Sequence, residues 1–192
     1  MFAVPLGDDA ELCPLEPWQA GEFLAHMDRA RDLVGEHIGL ADAVSDPASA
    51  LALLTAYAQK QAADTGRIYG IRVGSTLVGG VLFRVFDAKA GNCEVGCWLE
   101  PAATGRGLVT RAARVLIDWA VEERGMHRVE WRVSTGNAAS IRVAQRLGMV
   151  REGVLRAEYQ HRGRRADAEV WSVLAPEWRA ARPSQEALRQ AP

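Results

Sequence analysis

The chain has 192 residues, 48% hydrophobic and 24% charged, with 23 basic side chains against 24 acidic ones and a net charge of −1. That length supports one well-buried core and is short for two, and the near-neutral balance excludes the strongly basic face that non-specific nucleic-acid binding requires. No apolar run reaches transmembrane length, and residues 1–9 lack the basic flank and apolar core of a secretory signal. The expectation is a cytoplasmic protein with no nucleic-acid or membrane partner.

Residues 11–17 predict a short edge strand, after which Trp18, Phe23, Leu24 and Met27 recur at helical spacing. Residues 33–40 predict a further short helical piece. Ser45, Asp46 and Pro47 open a helix with a capping side chain followed by proline in the first turn, and Leu51, Leu54, Tyr57, Ala58 and Gln61 share one face up to a stop at Gly66. Strand-like runs follow at 68–73, 77–86 and 92–100, with turn residues between them that suit an antiparallel meander. A helix then carries Leu108, Ala112, Val115, Leu116 and Trp119 on one stripe and stops at Gly125. Val129, Trp131 and Val133 alternate as a strand. Asn137 caps a helix with Ile141, Ala144 and Leu147 inward, and strands at 150–159 and 168–174 flank an arginine-rich turn. The order predicts a mixed α/β sheet, largely antiparallel, with helices on both faces, in one domain over residues 1–180 with a polar tail at 181–192.

Between the meander and its helix lies Ala103-Thr104-Gly105-Arg106-Gly107-Leu108-Val109-Thr110. Two glycines at this strand-to-helix junction bring bare backbone close to a ligand and aim the unpaired N–H groups of the helix at an anion. The repeated βαβ alternation of a dinucleotide fold is missing, and no Gly-Lys-Ser or Gly-Lys-Thr follows the loop. Cys13, Cys93 and Cys97 show no zinc-type pairing, so no metal is expected. Cys93 and Cys97 share a strand face with Val95 and Leu99 as small core residues.

Taken in order, Glu94-Val95-Gly96-Cys97-Trp98-Leu99, the glycine loop, Asn137-Ala138-Ala139-Ser140-Ile141-Arg142 through Leu147-Gly148-Met149, Glu152-Gly153-Val154-Leu155-Arg156, Asp167 and Trp171 resemble the GNAT N-acetyltransferases. Within that family the resemblance is to the branch of ribosomal-protein N-terminal acetyltransferases, and it covers residues 66–175. The family's loop usually starts with Gln or Arg, where this chain has Ala102. The resemblance implies acetyl-coenzyme A as co-substrate. Its pyrophosphate would be held by the backbone of Thr104, Gly105, Arg106, Gly107, Leu108, Val109 and Thr110, and its pantetheine arm would run along Leu99 between splayed strands, with Asn137 bonding the arm.

Acetyl transfer to an amine needs a neutral nucleophile, a polarised thioester carbonyl and a proton for the leaving thiolate. Glu94 is the candidate to take the amine's proton, directly or through a water, and Ser140 the candidate to serve the sulfur. Many relatives carry a tyrosine seven residues after the Asn, where this chain has Ala144. A solvated strand carboxylate and an ordinary first-turn serine are the competing readings of the two. His26 and His37 are weak candidates in the region that would cover the acceptor, and His127 reads as a surface residue. Residues 28–40 and 158–165 would shape the acceptor pocket, with Arg162, Arg164 and Arg165 either drawing an acidic terminus or forming a solvated tip. The acceptor reads as a protein N-terminal amine, such as that of a ribosomal protein, or as a small amine; a non-catalytic coenzyme A-binding module is the alternative. Trp98, Trp131 and Trp171 leave core packing and a homodimer sheet both open.

Overall fold

In the computed structural model, which describes residues 3–181, the chain starts with a hairpin of β1 (Val4–Gly7) and β2 (Ala10–Pro14), turned by Asp8 and Asp9 in the left-handed region. Residues 11–17 therefore hold the second strand of the sheet, with β1 outside it, rather than the edge. Helix α1 (Ala20–His37) buries Phe23, Met27, Ala30 and Val34 at helical spacing. Trp18, expected on that stripe, precedes the helix in a single 3-10 turn and is 80% exposed. The separate helical piece expected at 33–40 is the last turn of α1 followed, after an extended Ile38, by α2 (Leu40–Ala43).

Helix α3 (Pro47–Ala62) starts as its sequence dictates: the Asp46 carboxylate accepts the Ser49 N–H at 2.8 Å and Ser49 Oγ accepts the Asp46 N–H at 3.0 Å. Its buried face holds Ala50 and Leu54, whereas Leu51 points outward. The turn out of it is made by Asp64 at φ 58°, not by Gly66. Arg67 and Arg124 each hold the Asp64 carboxylate at 2.6 Å, which offsets the cost of a left-handed non-glycine residue and brings its pKa down to about 2.

Strands β3 (Arg67–Val73), β4 (Thr76–Asp87) and β5 (Asn92–Leu99) form the expected meander. The chain continues through α4 (Leu108–Asp118), which ends in a π-turn at Trp119–Glu123 before Gly125, then β6 (Arg128–Ser134) and α5 (Ala138–Arg146). Strands β7 (Val150–His161) and β8 (Arg164–Leu174) run longer than expected, up to a turn at Arg162 and Gly163, and α6 (Ala175–Ala180) closes the described chain. The tail expected at 181–192 lies, from 182 on, outside the described residues.

The eight strands are ordered β1-β2-β3-β4-β5-β6-β8-β7, and every neighbouring pair is antiparallel except β5 and β6. One face packs α4 and α5 over Val95, Val129 and Trp131; the other packs α1 and α3 over Ile68, Leu77 and Trp98. Each fully buried Leu, Phe or Met contributes about 1.5–3 kcal/mol, so both helical layers are held mainly by burial. Trp98, Trp131 and Trp171 are buried within the chain itself, which settles their packing as core.

Candidate active site

The parallel pairing of β5 with β6 lasts for three residues, Asn92 to Glu94 against Arg128 to Glu130. Beyond that point the strands part, leaving the edge of β5 from Val95 to Leu99 without a partner on the β6 side. Leu99 still pairs with Gly79 of β4, so its outer edge is held in line from behind. The sheet thus offers a cleft whose wall is unpaired strand backbone, able to bond an extended ligand arm and polarise a carbonyl.

At the end of β5 the chain enters the glycine loop. Gly105 and Gly107 take φ 77° and 72°, and Gly107 occupies the N-cap position of α4 in the left-handed region. The first intrahelical bond of α4 runs from the Arg111 N–H to the Gly107 carbonyl, so the N–H groups of Leu108, Val109 and Thr110 precede the helical ladder. Thr104 turns its hydroxyl to the Pro101 carbonyl at 2.8 Å. The loop has a support the sequence reading missed. Arg111 donates from Nη1 to the Arg106 carbonyl at 3.0 Å and from Nη2 to Asp8 at 3.1 Å, and its Nη1 would lie 3.4 Å from a Cβ at Gly107. A guanidinium therefore sits beneath the loop where Ala102 supplies no polar side chain. Its position one turn into α4, four residues after Gly107, was the available signal.

Across the cleft, Asn137 caps α5 by accepting the Ser140 N–H at 3.0 Å. The Asn137 N–H is already bonded to the Ser134 carbonyl at 2.9 Å, so the Ser140 hydroxyl does not complete a capping box. Instead Ser140 Oγ accepts the indole N–H of Trp131 at 2.9 Å.

Glu94, the last residue of β5 to pair with β6, is buried on the opposite sheet face from Val95. Arg84 donates to it from Nε at 2.5 Å and also from Nη2, and Arg132 lies 3.7 Å away. The pair belongs to a row crossing the sheet: Arg132 bonds Glu130 and Glu158, Glu130 bonds Arg128, and Arg128 bonds Glu152. Arg128, with help from the Ser172 hydroxyl, holds the Glu152 carboxyl down at about 2. Glu94 is thus not the free, solvated strand carboxylate of the competing reading.

His26 does not face an acceptor. It is fully buried in the core under β5, where its Nε2 accepts the Trp98 indole N–H at 3.1 Å and its Nδ1–H donates to Glu100 at 3.3 Å. Burial lowers its pKa, in keeping with the neutral ring this pattern requires. Arg29 donates to the same Glu100 oxygen at 3.0 Å, so α1 grips the residue from which the glycine loop departs. His37 ends α1 half-buried and His127 is exposed. The two segments expected to shape the acceptor pocket meet where His161 donates to the Gly35 carbonyl at 2.9 Å, and just beyond the first of them Arg162 pairs with Asp42 at 3.3 Å. A cavity of about 220 Å³ lined by Pro14, Gln61, Arg67, Tyr69 and Trp119 lies at the opposite end of α4 and takes no part in this arrangement. No group of His, Cys, Asp or Glu among the described residues could hold a metal ion.

The acetyltransferase (GNAT) domain family matches residues 11–150. The chain belongs to the GNAT acetyltransferase family. A Bacillus subtilis protein named as a ribosomal N-acetyltransferase, YdaF, is 26% identical over 93% of this chain and 98% of its own length. Among solved structures, the ribosomal L7/L12 α-N-protein acetyltransferase RimL in complex with coenzyme A superposes with a TM-score of 0.85 at 14% identity, covering 90% of this chain and 97% of that one. The microcin C7 self-immunity acetyltransferase MccE, solved with acetyl-CoA and AMP, gives 0.82 at 20% identity over 88% and 94%. This GNAT enzyme is an acetyl-CoA-dependent N-acetyltransferase. Its parted strands and left-handed glycine loop fit that co-substrate: Gly105, Gly107 and the first turn of α4 suit a pyrophosphate, and the free edge of β5 suits an extended arm.

Proposed function

We propose that this GNAT enzyme acetylates the N-terminal amine of a protein, such as a ribosomal protein, with Glu94 and Ser140 as its catalytic residues. The observation that carries the reading is the parting of β5 and β6 just after Glu94, with the glycine loop at the end of β5 and Ser140 bonded to Trp131, the first β6 residue beyond the pairing. The backbone of residues 104–110 binds the phosphates, Leu99 and its neighbours align the arm, and Asn137 fixes the first turn of α5 against it. A β5 N–H polarises the thioester carbonyl. Glu94 accepts the amine's proton through a water, its carboxylate keeping acceptor capacity beside the Arg84 guanidinium. Ser140 gives its proton to the departing sulfur and regains one from solvent, so the proton lost by the amine balances the one gained by the thiolate.

The protein-terminus reading is supported by the full-length similarity to YdaF and by the contact between segments 28–40 and 158–165. A small amine is the second reading, in keeping with the likeness to MccE, whose structure holds AMP beside acetyl-CoA. The reading takes residues 1–180 as one catalytic unit. The reading takes a cytoplasmic setting, in keeping with the Bacillus subtilis relative named as a ribosomal N-acetyltransferase; no helix among the described residues is long and apolar enough to cross a membrane.

Thiol release from acetyl-CoA, measured with peptides bearing free N-termini beside amino sugars and amino acids, tests the acceptor. A higher kcat/KM for every small amine than for any peptide would overturn the protein-terminus reading. Ser140→Ala is expected to lower kcat by about ten- to a thousandfold with KM for acetyl-CoA little changed. Glu94→Gln is expected to hurt most at low pH and least above the acceptor amine's own pKa, where the nucleophile arrives neutral. A variant pH profile parallel to that of the wild type would remove Glu94 as the base.

A further inference from the structure

The residue that Ser140 touches is as informative as Ser140 itself. Trp131 follows Glu130, the last residue of β6 to pair with β5, so its indole stands where the two strands part. The ring is 1% exposed and packed among the core residues under α4 and α5. Its N–H donates to Ser140 Oγ at 2.9 Å. A serine hydroxyl has one donor hydrogen and two acceptor lone pairs. With one lone pair committed to the indole, the O–H bond is turned away from Trp131, and accepting a hydrogen bond makes the hydroxyl a better donor. The capping-box use of the oxygen is closed, because the Asn137 N–H is taken by Ser134, and among the described residues the Ser140 hydroxyl accepts from Trp131 but donates to no backbone carbonyl or side chain. The hydroxyl hydrogen is left for a ligand.

We propose that Trp131 is a positioning residue for acetyl transfer, acting through Ser140 by holding its hydroxyl with the hydrogen directed to the thioester sulfur. The inference rests on the reading of Ser140 as the group that serves the sulfur. In the step concerned, the amine nitrogen bonds to the carbonyl carbon, the carbon–sulfur bond breaks with its electron pair going to sulfur, and the Ser140 proton passes to that sulfur. The serine oxygen, held by the indole N–H throughout, regains a proton through solvent from the amine. A plain structural role, in which Ser140 exists to satisfy a buried indole, makes a different kinetic prediction.

The test is a double-mutant cycle in kcat with the full-length enzyme. Trp131→Phe removes the N–H and keeps a large apolar ring; it is expected to lower kcat by roughly five- to fiftyfold with KM for acetyl-CoA changed less than about twofold. In a Ser140→Ala background the same substitution is expected to cost less than about twofold more, because the group it acts through is gone. Benzothienylalanine placed at position 131 by codon suppression replaces the indole N–H with sulfur at nearly constant shape, is expected to reproduce the loss, and covers the case in which the Phe variant does not fold. Undiminished kcat in these single variants, or an equal fold-loss with and without Ser140, overturns the inference alone. An undiminished kcat in Ser140→Ala would overturn the reading of Ser140 and this inference together.

Discussion

Gly107 shows how much one backbone angle can decide. At φ 72° it caps α4 in the left-handed region, and a Cβ there would reach ordinary contact with the Arg111 guanidinium, so the backbone angle rather than a clash is what resists a side chain. Gly107→Val is therefore expected to weaken acetyl-CoA binding by more than about tenfold, as calorimetry would show, since a β-branched residue resists the left-handed region and obstructs backbone approach. Unchanged affinity would mean that the phosphates bind elsewhere. Gly105, Gly107 and Asn137 were legible in the sequence because their signals are local: a left-handed turn and a helix cap are written within a few residues. Trp131 on Ser140 and His26 on Glu100 were not, the latter pair being 74 positions apart. Nothing in periodicity distinguishes a histidine over an acceptor from one that bridges a tryptophan and a carboxylate in the core.

Among the elements, the meander and α4 followed their apolar periodicity, while the ends of elements departed from it. Trp18 carried a helical spacing but fell before the first turn of α1, and Gly66 carried a stop signal that Asp64 had already used with the help of two arginines. The β7–β8 hairpin outgrew its expected bounds because its tip finds partners on α1 and α2, far away in the chain. That contact joins the two segments proposed to wall the acceptor approach. Replacing His161 and Asp42 together with alanine is expected to raise the acceptor's KM several-fold and leave acetyl-CoA affinity unchanged, which steady-state kinetics with each substrate varied in turn would reveal. An unchanged acceptor KM would place the acceptor outside these segments.

Across the whole molecule, one seam organises the rest. Five strands lie on one side of it and three on the other, and only the short parallel pairing at Asn92 to Glu94 stitches them in the sheet. Elsewhere the two halves are joined through α4 and α5 and by the row of arginines and carboxylates from Arg84 to Glu152. The expectation is that acetyl-CoA at about a hundred times its Kd adds ~2.7 kcal/mol, or roughly 5–10 °C in Tm for a chain of this size. Amide exchange should slow most along Val95 to Leu99 and Trp131 to Ser134, and uniform slowing across both halves would contradict it. In mechanical terms the protein is a zipper closed for three teeth and left open above them. On the proposed site the co-substrate acts as the slider, and loading the enzyme is then expected to finish its sheet.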